Sequence, residues 1–362
     1  MAGARTYPSD WPDESPWQSG FGPLIWSNTG VTDELLSIAD ALEDADGALL
    51  GGNRAAPSVL PTGFGLLDTY LGGGLRGGEL TLVGGPHGLG KTAFVLQLAR
   101  HAASLDQAAV VFSYEHDATT LLERLITVEA GEMFGLEGLP LRRVREALEG
   151  RGRKNARLEE RLSSTPGGVQ AVTELRRYGS RLLLHRSSGA TTGLNAIRDV
   201  LHTAVERSGV RPLVVVDYLQ KVMTDRDRPE DDRISDVVTG LKDIALEFVV
   251  PVVAVTAADN EGLTPGRRLR VNHLRGPSTL AYEADVVLIM NEKYDVVARH
   301  HLVYDVRKSE HYRDYVVLSI EKNRSGLARI DLQLRKRLEQ SRFEREIELV
   351  PEELVDERLF LE

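Results

Sequence analysis

Residues 85–92 read Gly-Pro-His-Gly-Leu-Gly-Lys-Thr, and the residues on either side decide what this string is. Residues 79–84, Glu-Leu-Thr-Leu-Val-Gly, form a short apolar run that ends where the glycines begin, as a buried strand does. Residues 92–103, from Thr92 to Ala103, carry apolar residues at helical spacing. A strand, a glycine-rich turn and a helix in that order form a phosphate cradle. Successive backbone N–H groups curl around phosphate oxygens, and the helix N-terminus adds the positive end of its dipole. The spacing GxxxxGKT then assigns Lys91 to the β- and γ-phosphates and the Thr92 hydroxyl to magnesium. The predicted nucleotide-binding set is Gly85, Pro86, His87, Gly88, Leu89, Gly90, Lys91, Thr92 and Ala93, with ATP and Mg²⁺ as the implied ligands.

Beyond the loop, apolar β-rich runs recur at 108–115, 181–185, 213–218, 249–256, 285–290, 315–321 and 330–334, with helical stretches between most of them. Continuous runs such as Leu213-Val214-Val215-Val216 suit strands covered on both faces, so an α/β core with a mostly parallel central sheet is expected. Hydrolysis needs groups at neighbouring strand ends that orient water and hold the metal. Glu115 closes the run Val110-Val111-Phe112-Ser113-Tyr114 and is predicted to polarise the attacking water. Asp217 closes residues 213–217 and is predicted in the magnesium shell beside Thr92.

The 362 residues contain no Cys, which excludes disulfide frameworks, zinc ribbons, Cys-ligated clusters and thiol nucleophiles. No apolar run approaches the roughly 18–20 residues that span a bilayer, so a cytoplasmic protein is the expectation. The net charge of −10 is uneven. Residues 1–60 carry nine carboxylates against Arg5 and Arg54, and residues 344–362 carry eight against Arg345 and Arg358, which leaves the middle slightly positive. Trp11, Trp17 and Trp26 all fall in the first segment, which reads as an arm that covers the chain's own surface or anchors a protein partner. Residues 32–45 read as an amphipathic helix ended by Gly47, Gly51 and Gly52. The Arg-rich stretch 136–177 reads as a solvated helical face.

Several further strings carry a family likeness: Pro61-Thr62-Gly63-Phe64, Leu71-Gly72-Gly73-Gly74-Leu75, Gly78-Glu79-Leu80, Asp217-Tyr218-Leu219-Gln220, His273-Leu274-Arg275-Gly276-Pro277-Ser278 and Glu321-Lys322-Asn323-Arg324-Ser325-Gly326. With the phosphate loop between them, these resemble the RecA-like ATPase domain of DnaB-type replicative helicases over residues 61–343. The resulting plan is an acidic N-terminal arm and linker helix over 1–60, a RecA-like P-loop NTPase core over 61–343 and an acidic C-terminal tail over 344–362. The resemblance implies a homo-oligomeric ring, usually hexameric, with ATP between neighbours. It implies that Lys322 and Arg324 complete a neighbour's site, and that single-stranded DNA meets the 260–278 region, where Arg267, Arg268, Arg270 and Arg275 are the expected contacts.

The chain departs from the family pattern at several points. Ala257 stands where relatives carry a polar γ-phosphate sensor, so either Thr256 or Asp259 is expected to substitute after a local shift, or the coupling between hydrolysis and DNA movement is weakened. Pro277 removes a backbone donor from the strand-facing loop, residues 293–314 form a longer excursion, and 60 residues leave no room for a helical primase-contact domain. An ATP-dependent helicase or translocase on single-stranded DNA is the leading expectation. A DnaB-derived regulatory or assembly ATPase that does not unwind DNA is the alternative, and a nucleotide-gated scaffold without turnover is disfavoured by Glu115 and Asp217.

Overall fold

The computed structural model describes residues 37–52, 58–150, 155–264, 266–303 and 306–357. The three tryptophans and residues 358–362 lie outside these, as do Arg151, Arg153 and Lys154 of the Arg-rich stretch. Helix α1 (Ile38–Leu50) starts at a capping box, in which the Ser37 Oγ accepts from the Asp40 N–H and the Asp40 carboxylate accepts from the Ser37 N–H. It runs through Gly47 and stops at Gly51, later than the sequence suggests, and buries none of its residues.

A two-stranded ribbon, β1 (Val59–Leu60) with β2 (Leu75–Arg76), brackets the short helix α2 (Gly65–Tyr70). The core follows: β3 (Leu80–Gly84), α3 (Lys91–Ser104), β4 (Ala109–Ser113), α4 (Ala118–Phe134), α5 (Leu141–Leu148), α6 (Leu158–Leu162), α7 (Gly168–Tyr178), β5 (Leu182–Arg186), α8 (Leu194–Ser208), β6 (Leu213–Asp217), α9 (Glu230–Phe248) and β7 (Val252–Thr256). Then come β8 (Val286–Glu292), β9 (Tyr315–Asn323), β10 (Ile330–Arg337) and β11 (Arg342–Leu349). One nine-stranded sheet has the order β11-β10-β9-β8-β3-β7-β6-β4-β5. The six strands from β8 to β5 are parallel, and β9, β10 and β11 extend the sheet antiparallel. All eight runs read from the sequence are strands of this sheet, which makes the fold an α/β core with a mostly parallel centre.

Both faces of the parallel part are covered, which is why β3, β4, β6 and β7 are buried along their whole length. Helix α3 packs Phe94, Val95, Leu98 and Ala102 on one face together with Phe64 and Phe343. On the other face α8 and α9 supply Ile197, Leu201, Val237, Leu241 and Ile244. Helices α4 to α7 close a third, smaller core around Ile126, Leu139, Val144 and Ala171. On their outer faces the arginines pair locally, Arg142 and Arg143 with Glu146, Arg176 with Glu159 and Arg177 with Glu174, as a solvated face would. Among the described residues no helix is long and apolar enough to cross a membrane.

The C-terminal reading needs correction. Residues 342–349 form an edge strand, so the expected boundary at 343 falls inside β11. The buried Gln97 amide on α3 holds its start, donating to the Phe343 carbonyl (3.0 Å) and accepting from the Phe343 N–H (2.7 Å). Residues 350–357 then cross the sheet edge as a strap. Val355 N–H donates to the Val296 carbonyl (2.8 Å), Ala298 N–H to Glu353 (2.9 Å) and Arg268 N–H to Asp356 (2.8 Å). Beneath the strap Lys293, buried at 3%, meets Glu352 at 2.6 Å.

Candidate nucleotide site

A cleft of about 860 Å³ opens at the C-terminal ends of the parallel strands. This is where an open α/β sheet places its ligands. His87, Gly88, Gly90, Lys91, Thr92 and Ala93 form its floor, and Glu115, Arg124, Asp217, Thr256, Ala257 and Asp259 stand around it. The loop requires its glycines. Gly90 has φ +86°, and a Cβ there would sit 2.8 Å from Leu338 Cδ2 and 3.0 Å from the Phe343 ring. A Cβ on Gly85 would meet Met290 at 3.0 Å. Leu89 points into the α3 core, so the loop is anchored by an apolar side chain while its backbone faces the cleft.

Lys91 bends back over the loop, and its ammonium donates to the carbonyls of Gly85 (2.6 Å) and Pro86 (2.8 Å). Burial pulls its pKa down, while the charges of Asp217 and Glu115 push it up. The Thr92 hydroxyl donates to Asp217 Oδ2 at 2.8 Å. Asp217 is buried to 3% exposure, and that desolvation raises its pKa against the Thr92 hydrogen bond. A hydroxyl and a carboxylate side by side form an oxygen donor set suited to a hard divalent cation, which would also repay the burial of Asp217. The residues therefore fit Mg²⁺, which the Thr92 hydroxyl and the Asp217 carboxylate would hold.

Glu115 is placed by the tight turn after β4. The Ser113 hydroxyl donates to the His116 carbonyl (2.8 Å) and accepts from the His116 N–H (3.0 Å), which turns the intervening residues out of the sheet. Tyr114 N–H donates to the Asp217 carbonyl (2.9 Å), so the ends of β4 and β6 stay in step and both carboxylates face one cleft. Lys221 lies 3.7 Å from Glu115, with both side chains part-exposed.

Sequence reasoning missed Arg124. It projects from α4 into the cleft, its Nε is buried with no hydrogen-bond partner among the described residues, and burial lowers its pKa. No motif flags it, because only the turn of α4 brings it back over the strand ends. The edge strand region was missed as well, since Leu338 and Ser341 close one wall of the cleft.

The remaining candidates are dispersed. Lys322 donates to the carbonyls of Ala281 (2.7 Å) and Tyr282 (3.1 Å), and Arg324 reaches Asp285 at 3.2 Å, with neither lining the chain's own cleft. The four arginines expected to form one DNA-facing surface are each paired with a carboxylate of the chain. Arg267 pairs with Glu261 (2.6 Å), Arg270 with Glu321 (2.7 Å) and Asp356 (2.5 Å), and Arg275 with Glu230 (2.8 Å). Arg268, 3% exposed, is spent on Asp331 and Ser319, so it presents no charge to a strand in this arrangement. The expected stand-ins for a sensor are engaged too. Thr256 Oγ1 accepts from Gln220 at 2.8 Å, and Asp259 Oδ1 accepts from the Gly262 N–H at 2.7 Å.

The model of the DnaB-like helicase C terminal domain family matches residues 59–345. The replicative DNA helicase DnaB of Leifsonia xyli subsp. xyli is 28% identical over 275 residues, covering 75% of this chain and 52% of that protein. The replicative DNA helicase DnaB of Rhodothermus marinus is 28% identical over 271 residues, covering 71% of this chain and 25% of that protein. The chain thus spans about half, or less, of the length of these relatives. Among solved structures, a DnaB-like replicative helicase superposes with a TM-score of 0.66 at 21% identity, covering 85% of this chain and 68% of that one, a likeness of fold.

Proposed function

The chain belongs to the DnaB-like helicase C-terminal domain family, and from that premise we propose that it hydrolyses ATP in the cleft above β3, β4 and β6 and uses the cycle to act on single-stranded DNA. The observation that carries the reading is the meeting of Lys91, Thr92, Asp217 and Glu115 around one cleft. In the proposed reaction the loop amides and Lys91 hold the β- and γ-phosphates, and Lys91 leaves the Gly85 and Pro86 carbonyls to do so. Glu115 accepts a hydrogen bond from water and aims its oxygen at the γ-phosphorus. The bond from that phosphorus to the β-bridging oxygen breaks as the new P–O bond forms, and the water proton passes to Glu115 or solvent. Mg²⁺, held by Thr92 and Asp217, supplies charge neutralisation on the phosphates when bound.

We assign Lys322 and Arg324 to a neighbouring subunit's cleft in a homo-oligomer, a hexameric ring by family likeness. Their position away from the chain's own cleft supports this. Arg267, Arg270 and Arg275, whose side chains are part-exposed though each is paired with a carboxylate here, are the strand contacts of this reading, and a cytoplasmic location goes with it. The test is steady-state ATP hydrolysis with and without single-stranded DNA, with Lys91→Ala as the blank. Stimulation by DNA supports the helicase reading. Turnover indifferent to DNA supports a regulatory or assembly ATPase, a second reading favoured by the intrachain pairing of all four arginines. Absence of turnover in the assembled wild-type protein refutes both. Arg324→Ala in an assembled oligomer is expected to abolish turnover, and an unchanged rate refutes the trans role.

A further inference from the structure

The short 3-10 turn Leu219–Lys221 directly follows Asp217-Tyr218 and touches three parts of the molecule at once. Gln220 Nε2 donates to Thr256 Oγ1 (2.8 Å) at the end of β7 and to the Arg275 carbonyl (2.9 Å) on the loop beyond. Its Oε1 accepts from the Ala257 N–H (3.3 Å), and Arg275 N–H donates to the Ala257 carbonyl (2.8 Å). One primary amide thus uses both donors and an acceptor to fasten the end of β7 to the Arg275 segment. Next to it Lys221 lies 3.7 Å from Glu115.

The placement matters because Gln220 stands in a wall between two cavities. Thr256 and Ala257 line the nucleotide cleft, Gln220, Glu230 and Arg233 line a second cleft of about 180 Å³, and Tyr218 and Arg275 line both. Arg233 Nε is buried there without a hydrogen-bond partner among the described residues. At the cleft the Ala257 side chain is only a methyl, so a change of nucleotide state can cross this wall through backbone groups, and Gln220 grips them directly.

We propose that Gln220 is a positioning residue that couples occupancy of the nucleotide cleft to the conformation of the Arg275 segment. The proposal rests on the reading that the cleft binds ATP. When Thr256 and Ala257 shift with the nucleotide, the amide carries the shift to the Arg275 carbonyl. Coupling of this kind is worth about 5- to 150-fold in affinity or rate between linked sites.

Hydrogen–deuterium exchange with and without a non-hydrolysable ATP analogue and Mg²⁺ tests this on the full chain, comparing wild type with Gln220→Ala and Gln220→Glu. Glutamate keeps the length and the acceptor for Ala257 but lacks the donors to Thr256 and Arg275. The wild-type chain is expected to respond at residues 85–93 and also at 273–276. Both variants are expected to keep the first response and lose the second. They should also keep DNA-free kcat and KM within about twofold while DNA stimulation falls about fivefold or more. Recovery of the 273–276 response in Gln220→Glu indicates a space-filling role and overturns the proposal. So does its persistence in Gln220→Ala, or its absence from a wild-type chain that responds at 85–93. No wild-type response at 85–93 refutes nucleotide binding itself and the coupling with it, which separates the two failures.

Discussion

Replacing Arg100 with methionine isolates the energetics of the ion pair that holds the P-loop helix against α4. Arg100 on α3 donates from Nε (2.5 Å) and a terminal nitrogen (2.6 Å) to Glu129 on α4, and the Tyr178 hydroxyl at the end of α7 donates to the same carboxylate. Glu129 is 0% exposed. Arg100→Met preserves most of the packing but leaves a buried carboxylate with the Tyr178 hydroxyl alone, a defect worth about 3–5 kcal/mol. The expected destabilisation is therefore about 3–5 kcal/mol, a fall in Tm of about 6–20 °C at the slope typical of chains of 150–250 residues. The double variant Arg100→Met/Glu129→Gln recovers most of the loss. Far-UV circular dichroism is the suitable probe, since all three tryptophans precede residue 27. The reasoning is refuted if Arg100→Met lies within about 1 kcal/mol of wild type at pH 7. A double variant no more stable than the single one refutes it as well.

Gly90→Ala is expected to weaken nucleotide binding by about tenfold or more while the fold survives. The left-handed conformation alone costs an L-residue about 1–2 kcal/mol, and the new methyl meets Leu338 at 2.8 Å. Titration with a fluorescent ATP analogue measures it. Burial lowers the His101 pKa from 6.5 to about 4, so the protein loses up to about 3 kcal/mol of stability as pH falls from 6.5 through 4. His101→Leu removes that loss. Asp68, whose pKa burial raises to about 6, works in the opposite sense in the same window, so the difference between His101→Leu and wild type is the quantity to follow by urea denaturation. Asp356→Asn takes a carboxylate from Arg270, and if that cation then meets a strand, single-strand affinity rises and the log–log salt slope steepens by about 0.7. An unchanged slope in filter binding places Arg270 away from the strand.

The parallel sheet was readable because its strands are buried on both faces and therefore appear as unbroken runs such as Val214-Val215-Val216. The phosphate loop was readable for a different reason: its glycines, lysine and threonine are fixed in spacing by the chemistry of phosphate and metal. Strand β11 escaped notice because its signal has period two. Phe343, Ile347 and Leu349 alternate with charged residues, and a charge count over the segment reads it as an acidic tail. The ion pairs of the arginines in the 267–275 region were hidden for a related reason. Sequence shows a cation but not the carboxylate that folding brings against it, and here Asp331, Glu321 and Asp356 arrive from 51 to 86 residues away. Arg124 was invisible because a single residue on a helix face carries no spacing of its own.

The cluster around Asp285 sets the mechanical cost of assembling the proposed ring. Its Oδ2 accepts from the Leu80 N–H at the start of β3 (2.8 Å) and from Lys242 (2.8 Å), while its Oδ1 faces Arg324. Lys242 and Asp285 are both well buried, whereas the Arg324 side chain is half exposed. Arg324 is thus the one member that can leave without stranding a buried charge. A subunit could lend it to a neighbour's nucleotide and take it back in every cycle, while Lys242 keeps the root of the phosphate-binding strand in place.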